Sequence, residues 1–427
     1  MALGEIRAQM IPACVRLVMD ILERNGYEAY IVGGCVRDFL MGREPHDFDV
    51  TTNASPEQMK VCFKGMRLIE TGIKHGTLTV AIDGENVEIT TYRIDGKYTD
   101  GRHPESVTFT TRLEDDLSRR DFTVNAMAYS PKRGLVDAFG GVSDLENRII
   151  RCVGDPDARF NEDGLRIIRA LRFSSVLDFD IEDGTSAAAL RNAGLLRGIS
   201  VERIYTEFTK LLLGVRAGMI LRRYRSVIEV FLPQLLRCDD VEYSVAVRTV
   251  DGCDLSPAER YAALLGVSFD TSLMTCDTTP IEEGLACLKS DIRTRKETIG
   301  CYRAACSLGG DDARAARRAI RQFTHSTLDS AIAMTLALLY AQGDIGGAER
   351  LKKFRALADA ESSRPDACFT LKALNIDGRA LITLGAKGEL IGQVLERLLD
   401  EVVDGLLANE ENALLERART LIERGKA

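Results

Sequence analysis

The chain of 427 residues has no apolar run approaching the ~18 residues that read as a membrane span. It also lacks any C-x-x-C pair, and an odd total of eleven cysteines argues against a complete disulfide framework. Reduced, mostly buried thiols are expected instead. Histidine is scarce: His46, His75, His103 and His325 are the four present, and none stands at the spacing of a zinc site. The N-terminal stretch carries Glu5, Asp20 and Glu23 in an amphipathic pattern with no signal-peptide layout, so the expected location is the cytoplasm. Positive charge is in deficit, with a net charge of −8, which speaks against a uniformly basic nucleic-acid binder.

Distribution matters more than the total. Between 191 and 225 the bases Arg191, Arg197, Arg203, Lys210, Arg216, Arg222, Arg223 and Arg225 face only Glu202 and Glu207. A second group, Arg314, Arg317, Arg318 and Arg321, recurs at helical spacing as a basic stripe. Each is either a solvated face or a surface for phosphate. The length exceeds the size at which single cores stop growing, so two or more domains are expected.

The densest stretch is Gly33-Gly34-Cys35-Val36-Arg37-Asp38, followed by Pro45-His46-Asp47-Phe48-Asp49-Val50. Glu28 to Val32 reads as a strand, and the glycine pair lets the backbone turn so that its N–H groups can cradle a phosphate. Val36 to Met41 reads as a short helix, on which Arg37 can reach phosphate as a forked donor while Asp38 holds it. A strand over Asp47 to Val50 puts Asp47 and Asp49 on one face and Phe48 and Val50 on the other. Two carboxylates there suit a hard cation. Mg²⁺ takes such a pair with phosphate oxygens and water, activating a hydroxyl and neutralising a leaving pyrophosphate.

Pro12 to Arg24 reads as a helix stopped by Asn25-Gly26, and Ser55-Pro56-Glu57 as a helix start with serine as cap. Thr77 to Ile82 and Asn86 to Tyr92 alternate as a hairpin around Asp83-Gly84. If its second strand lies beside the Asp47 strand, Glu88 becomes a third carboxylate near the ions; otherwise it is an exposed strand residue. Arg119-Arg120-Asp121-Phe122-Thr123-Val124-Asn125 offers two readings: a site for triphosphate and ribose, with Arg120 and Asn125 as donors, or a helix end with an Arg–Asp ion pair. A helix begun by Asn161-Glu162-Asp163-Gly164-Leu165-Arg166 and continued through Arg169 and Arg172 makes Asp163 and Arg166 surface neighbours. Such a pair is either an intrahelical salt bridge or a reader of a base edge. The carboxylate accepts from an exocyclic amine and the guanidinium donates to the adjacent acceptor, an order that cytosine and adenine share and uracil and guanine do not. On such a helix Arg172 lies on the side opposite Asp163, and Arg169 and Arg172 suit phosphate, primer or a helix neighbour.

Together these three stretches resemble the bacterial class II tRNA nucleotidyltransferase and poly(A) polymerase family, within the polymerase-β-like nucleotidyltransferases. The resemblance covers about the first 215 residues closely. It implies an α+β fold: a small mixed β-sheet nucleotidyltransferase head at 1–145, then an all-helical neck at 146–215 that reads the base, a body at 216–345 and an RNA-binding tail at 346–427. It implies stepwise, template-independent addition of CCA to tRNA 3′ ends from CTP and ATP. Carried over, Asp47 and Asp49 hold Mg²⁺; Gly33, Gly34, Arg37 and Arg120 contact the nucleotide; Asp163 and Arg166 read the base; Arg169 and Arg172 are further nucleotide-site arginines. Arg203 and Glu207 resemble a helix that stabilises the neck.

Residues 92–107, with Asp95-Gly96-x-Tyr98-x-Asp100-Gly101-Arg102-x-Pro104, resemble the loop of family members that add the terminal A. An enzyme adding only A, a poly(A) polymerase, and a catalytically silent RNA-binding protein remain the competing expectations. Further on, Arg260 to Leu265 and Leu328 to Tyr340 are apolar enough for a core, Gly378 to Gly392 punctuates two helices, and 391–422 reads as a helical pattern with Leu395, Leu398, Leu399, Val402 and Leu406 on its apolar face.

Overall fold

The computed structural model describes residues 4–45, 47–82, 84–96, 106–254, 256–310 and 312–424. His46, Asp83 and most of the expected A-adding loop, 97–105, fall outside them. The chain divides into two compact units, Met1–Pro233 and Gln234–Ala427. The first takes in the expected head and neck and runs on through 216–233; the second holds the rest of the body and the tail.

The first unit is built on a seven-stranded mixed sheet. Its strands are β1 (Ala29–Val32), β2 (Asp49–Thr52), β3 (Arg67–Ile69), β4 (Thr77–Ile82), β5 (Glu85–Thr91), β8 (Ala128–Ser130) and β9 (Gly134–Val136), in the order β3-β4-β5-β2-β1-β8-β9. A separate pair, β6 (Arg93–Asp95) and β7 (Val107–Phe109), flanks the A-adding stretch. The β2 and β5 strands run parallel, while β1 pairs antiparallel with both β2 and β8. All four residues of β1 are buried, as a central strand requires.

Local chemistry explains most helix bounds in this unit. Helix α1 (Ala13–Arg24) buries Val15, Val18, Met19 and Leu22 and ends where Gly26 takes φ +85°. Helix α2 (Gly34–Leu40) starts two residues earlier than the sequence reading placed it, because Gly33 itself is the cap. In α3 (Pro56–Cys62) the Ser55 hydroxyl accepts from the Gln58 N–H, and the Gln58 side chain returns the bond to the Ser55 N–H. Two more short helices, α4 (Leu113–Ser118) and α5 (Gly141–Glu146), complete the sheet region.

The neck helices are α6 (Pro156–Glu162), α7 (Leu165–Leu177), α8 (Asp183–Arg191) and α9 (Val201–Leu212). Here the expected single helix from Asn161 is corrected: the chain breaks at Asp163, whose backbone is extended (φ −143°, ψ 105°), and restarts at Leu165. Gly164 in the break has no room for a side chain, since a Cβ would stand 3.0 Å from Leu195 Cβ and 3.2 Å from its carbonyl oxygen.

In the second unit, all helical in its named elements, the expected core stretches are buried: Tyr261 to Leu265 on one side, and Leu328, Ala331, Ile332, Met334, Ala337 and Leu338 on the other. The C-terminal pattern is two helices, Glu389–Val403 and Glu411–Arg424, broken at Gly405 (φ +73°). Leu406, expected on the apolar face, is therefore exposed, while Val394, Leu398, Leu399 and Val403 fill that core with Leu414, Ala418 and Ile422. Glycine punctuation at Gly385 and Gly388 separates helix Gly378–Thr383 from the next one, as read. No helix among the described residues is long and apolar enough to cross a membrane. None of the eleven cysteines is joined in a disulfide.

Candidate active site

The site grows out of the turn between β1 and α2. Gly33 adopts φ +82°, a conformation that L side chains rarely take, and its N–H donates to the Met127 carbonyl at 3.1 Å. A Cβ at Gly33 would stand 3.0 Å from the Arg120 Nη1, and one at Gly34 would stand 3.6 Å from an Arg37 nitrogen. The glycine pair thus brings bare backbone up to two guanidinium groups.

Strand β2 begins at Asp49, two residues later than expected, so Asp47 lies in the segment entering it. The alternation nevertheless holds: Asp47 and Asp49 are exposed, Val50 is buried, and Phe48 packs on Phe39 with ring centroids 5.8 Å apart. The surrounding protein bulk raises the Asp49 carboxyl above its ordinary range although its outer face meets solvent. Arg120 pulls it down and the charge of Asp47 pushes it up, so all three groups feel one another. In-register pairing sets Glu88 of β5 beside Asp49, between it and Thr79 of β4, with its side chain exposed.

Oxygen donors alone, open to solvent and carrying like charge, are the set a hard cation takes. The residues at Asp47 and Asp49 therefore fit Mg²⁺. Among the described residues, the one trio of histidine, cysteine or carboxylate groups whose ligand atoms lie within 4.8 Å of one another is elsewhere, at His325, Asp329 and Asp359 of the second unit.

The arginines differ in how much of each is committed. Arg37 is buried; it donates through Nε to Asp38 at 2.9 Å and through Nη1 to the Asn125 side-chain oxygen at 2.6 Å. Asp38 holds it, as expected. Asn125 in turn donates to Asp121 at 3.1 Å, and Asp121 accepts twice from Arg169, at 2.9 and 2.6 Å. Burial by itself would raise the Asp121 carboxyl; the ion pair with Arg169 and the Asn125 bond outweigh it and bring it down to about 2. Arg169 also lies 3.5 Å from Glu207, and Arg172 meets the same glutamate at 2.6 Å. Arg120 is the least engaged: its one ion pair, with the fully buried Asp116, is long at 3.5 Å, and its buried Nε has no hydrogen-bond partner among the described residues.

The base-reading candidates are close in sequence but are not paired to each other. Asp163 caps the Leu165 N–H at 3.0 Å and accepts from Arg203 of α9 at 2.7 Å. Arg166, buried, binds Glu162 at 2.5 Å and the carbonyls of Arg159 and Arg119 at 3.2 and 3.0 Å. The break at Asp163 takes that residue off the helix, so the spacing of three does not make it a helix neighbour of Arg166. The salt bridge to Arg166 is formed by Glu162, the last residue of α6, across the break.

Both basic groups are also resolved into ion pairs. In helix Ala313–Gln322, Arg314 and Arg318 bind Asp404 at 2.6 Å, Arg317 binds Glu361 at 3.2 Å, and Arg321 pairs with Glu396. That stripe bridges to other helices through ion pairs, with Arg314 and Arg318 still exposed. In the 191–225 group, Arg191, Arg203, Arg216 and Arg225 pair with acids, whereas Arg197, Lys210, Arg222 and Arg223 are exposed.

Three residues escaped the sequence reading. Asp116 holds Arg119 at 2.8 Å as well as Arg120, and the only signal was its position three and four residues before them. Glu162 stood beside the motif aspartate as its unremarked neighbour. Phe173 follows Arg172 and draws three guanidinium groups to its ring.

A family model described as Poly A polymerase head domain matches residues 29–151, and one described as Probable RNA and SrmB- binding site of polymerase A matches 178–237. Over its length the chain is 33% identical to a CCA-adding enzyme of Streptococcus suis, covering 95% of this chain and 96% of that one. It is 34% identical to a CCA-adding enzyme of Limosilactobacillus reuteri, covering both chains completely. Its structure is similar to that of the Bacillus stearothermophilus CCA-adding enzyme in complex with CTP, with a TM-score of 0.73, 28% identity and 97% of each chain covered.

Proposed function

The chain belongs to the CCA-adding enzyme family, and from that premise we propose which of its residues carry the reaction. It is a nucleotidyltransferase that adds CCA to tRNA 3′ ends, taking CTP and ATP and releasing pyrophosphate. The observation that carries the assignment of the site is the meeting of Asp47 and Asp49 with Arg120 at the Gly33-Gly34 turn.

Enzymes of this family are typically metal-dependent, and Asp47 and Asp49 would hold the metal, which we take to be Mg²⁺. When bound, it lowers the pKa of the attacking tRNA hydroxyl and neutralises charge on the phosphates. Glu88 adds negative potential beside Asp49 that favours a divalent ion. The N–H groups after Gly33, at the start of α2, offer donors to phosphate, and Arg120, whose buried Nε has no hydrogen-bond partner among the described residues, supplies a guanidinium. Arg37 and Asn125 frame the same wall, and Arg169 and Arg172 supply positive potential behind it.

Asp163 and Arg166 are the proposed readers of the base. The Asp163 carboxylate accepts from the exocyclic amine of C or A, and Arg166 donates to the neighbouring acceptor. Arg203 and Glu207 hold α9 against α7 and so keep both readers in place. Residues 1–145 serve as the catalytic head, 146–215 as the neck, and 216–345 and 346–427 as body and tail for tRNA. A cytoplasmic location belongs to the same reading, on the ground that tRNA is the substrate.

The test is incorporation into a tRNA ending before CCA, supplied with CTP, ATP or both. Two C additions followed by one A are expected; long A tails would place the chain among poly(A) polymerases. Asp47→Ala and Asp49→Ala should abolish turnover and leave tRNA affinity near wild type. Unchanged activity in both variants would sink the metal site.

A further inference from the structure

Phe173 directly follows the stretch of α7 that carries Arg166, Arg169 and Arg172, and points inward with 5% of its surface exposed. Three guanidinium carbons lie near its ring centroid: Arg172 at 3.7 Å, Arg37 at 5.2 Å and Arg169 at 5.4 Å. The first is stacking distance, and the other two are within the reach of an aromatic quadrupole for a cation. The ring of Phe122, from the stretch that carries Arg120 and Asn125, meets Phe173 edge-on at 5.7 Å and 78°.

Three like charges around one ring repel one another unless each is answered. Here each has an acid of its own or shares one: Asp38 for Arg37, Asp121 and Glu207 for Arg169, Glu207 for Arg172. These acids set the charge balance, but a carboxylate anchors only one edge of a planar guanidinium and leaves its tilt free. A ring face fixes that tilt. Burial lowers the Arg172 guanidinium to about 10, with Glu207 opposing the change, so this group has lost much of its water and interacts with the ring at low dielectric. An aliphatic side chain would fill similar space and supply no such attraction.

We propose that Phe173 is a positioning residue of the nucleotide site, its ring orienting the guanidinium groups of Arg37 and Arg172 so that head and neck present their positive charge to the triphosphate in one fixed arrangement. The inference rests on the reading of Arg37 and its neighbours as the nucleotide site. It assigns no contact between Phe173 and the nucleotide.

The test is steady-state kinetics of the full chain with tRNA, CTP and ATP, comparing wild type with Phe173→Leu, Phe173→Tyr, 3,4,5-trifluorophenylalanine at position 173, and Arg37→Lys. Phe173→Leu should raise KM for both nucleotides on the order of tenfold, with kcat and KM for tRNA little changed. Phe173→Tyr, which keeps the ring, should recover most of that loss. The fluorinated ring keeps the shape and weakens the quadrupole, so a rise between those of Tyr and Leu is expected; it decides the matter should Phe173→Leu fail to fold. Nucleotide KM unchanged in the Leu and fluorinated proteins, while Arg37→Lys raises it, would reduce Phe173 to packing and overturn the inference alone. An unchanged KM in Arg37→Lys would overturn the site reading and this inference with it.

Discussion

Asp121, in the segment that follows the Arg119-Arg120 pair, accepts two hydrogen bonds from Arg169 of the neck helix, at 2.9 and 2.6 Å. Its other oxygen accepts from the Phe122 N–H at 2.8 Å and from Asn125 at 3.1 Å. One carboxylate therefore ties the sheet region, through Asn125 and Arg37, to α7 and, through Arg169 and Glu207, to α9.

Because the folded Asp121 carboxyl lies at about 2, below its unfolded value near 3.8, its stabilisation is complete above the unfolded value and is lost as pH falls through the folded one. The contribution is on the order of 2 kcal/mol. Thermal unfolding should show a fall in Tm between pH 4 and pH 2, about where those two values lie, and Asp121→Asn should flatten that part of the profile. A profile of the variant parallel to wild type would refute the assignment.

Asp49 is displaced upward, and Arg120 is the positive group restraining it. In the metal-free protein the Asp49 carboxyl should accordingly titrate above the range of an exposed aspartate, followed by carboxyl NMR, and added Mg²⁺ should bring it down. Replacing Arg120 by Gln removes the restraint, so the metal-free titration should move to still higher pH, and nucleotide KM should rise in the loaded enzyme. Movement of the titration in the opposite direction would mean that Arg120 does not face Asp49.

Gly33 and Gly26 both sit at positive φ, +82° and +85°, but only Gly33 has Arg120 beside its missing side chain. Alanine at either position should cost about 1–2 kcal/mol of stability from backbone strain. Only Gly33→Ala should also raise KM for CTP, because its methyl group displaces Arg120. Equal kinetic effects at both sites would remove the special role of this turn.

Asp163 is held by Arg203, and Arg166 by Glu162. Asp163→Ala and Arg166→Ala should admit UTP or GTP at measurable rates, and Arg203→Ala should relax choice more weakly by freeing the carboxylate. Competition assays with all four nucleoside triphosphates read this directly. Selectivity kept in both alanine variants would count against base reading by this pair.

Much of this was legible because it depends on near neighbours in the chain. The serine cap at Ser55, the stop at Gly26 and the alternation around Asp49 follow from backbone geometry and solvent preference acting over three or four residues. The pairing of Glu88 with Asp49 was legible only conditionally, since strand residues 39 positions apart reveal their parallel register only once folded. Asp163 misled because the rule for neighbours three apart presumes a continuous helix, and close packing of Gly164 on Leu195 interrupts this one. The arginines of helix Ala313–Gln322 read as a solvated face or a surface for phosphate because their acidic partners, Glu361, Glu396 and Asp404, lie far along the chain. Asp116 escaped notice among three consecutive acids at 114–116, yet it is fully buried.

Arg166 donates to the main-chain oxygen of Arg119, the residue immediately before Arg120. The part of the molecule assigned to recognising the base thus hangs from the same peptide unit that carries the phosphate-gripping side chain. Turning α7 to suit a different base would pull on that peptide and shift the grip as well. With the proposed roles of Arg166 and Arg120, selectivity and catalytic rate would be mechanically linked, and an engineer seeking a new nucleotide preference would have to redesign both ends of the site together.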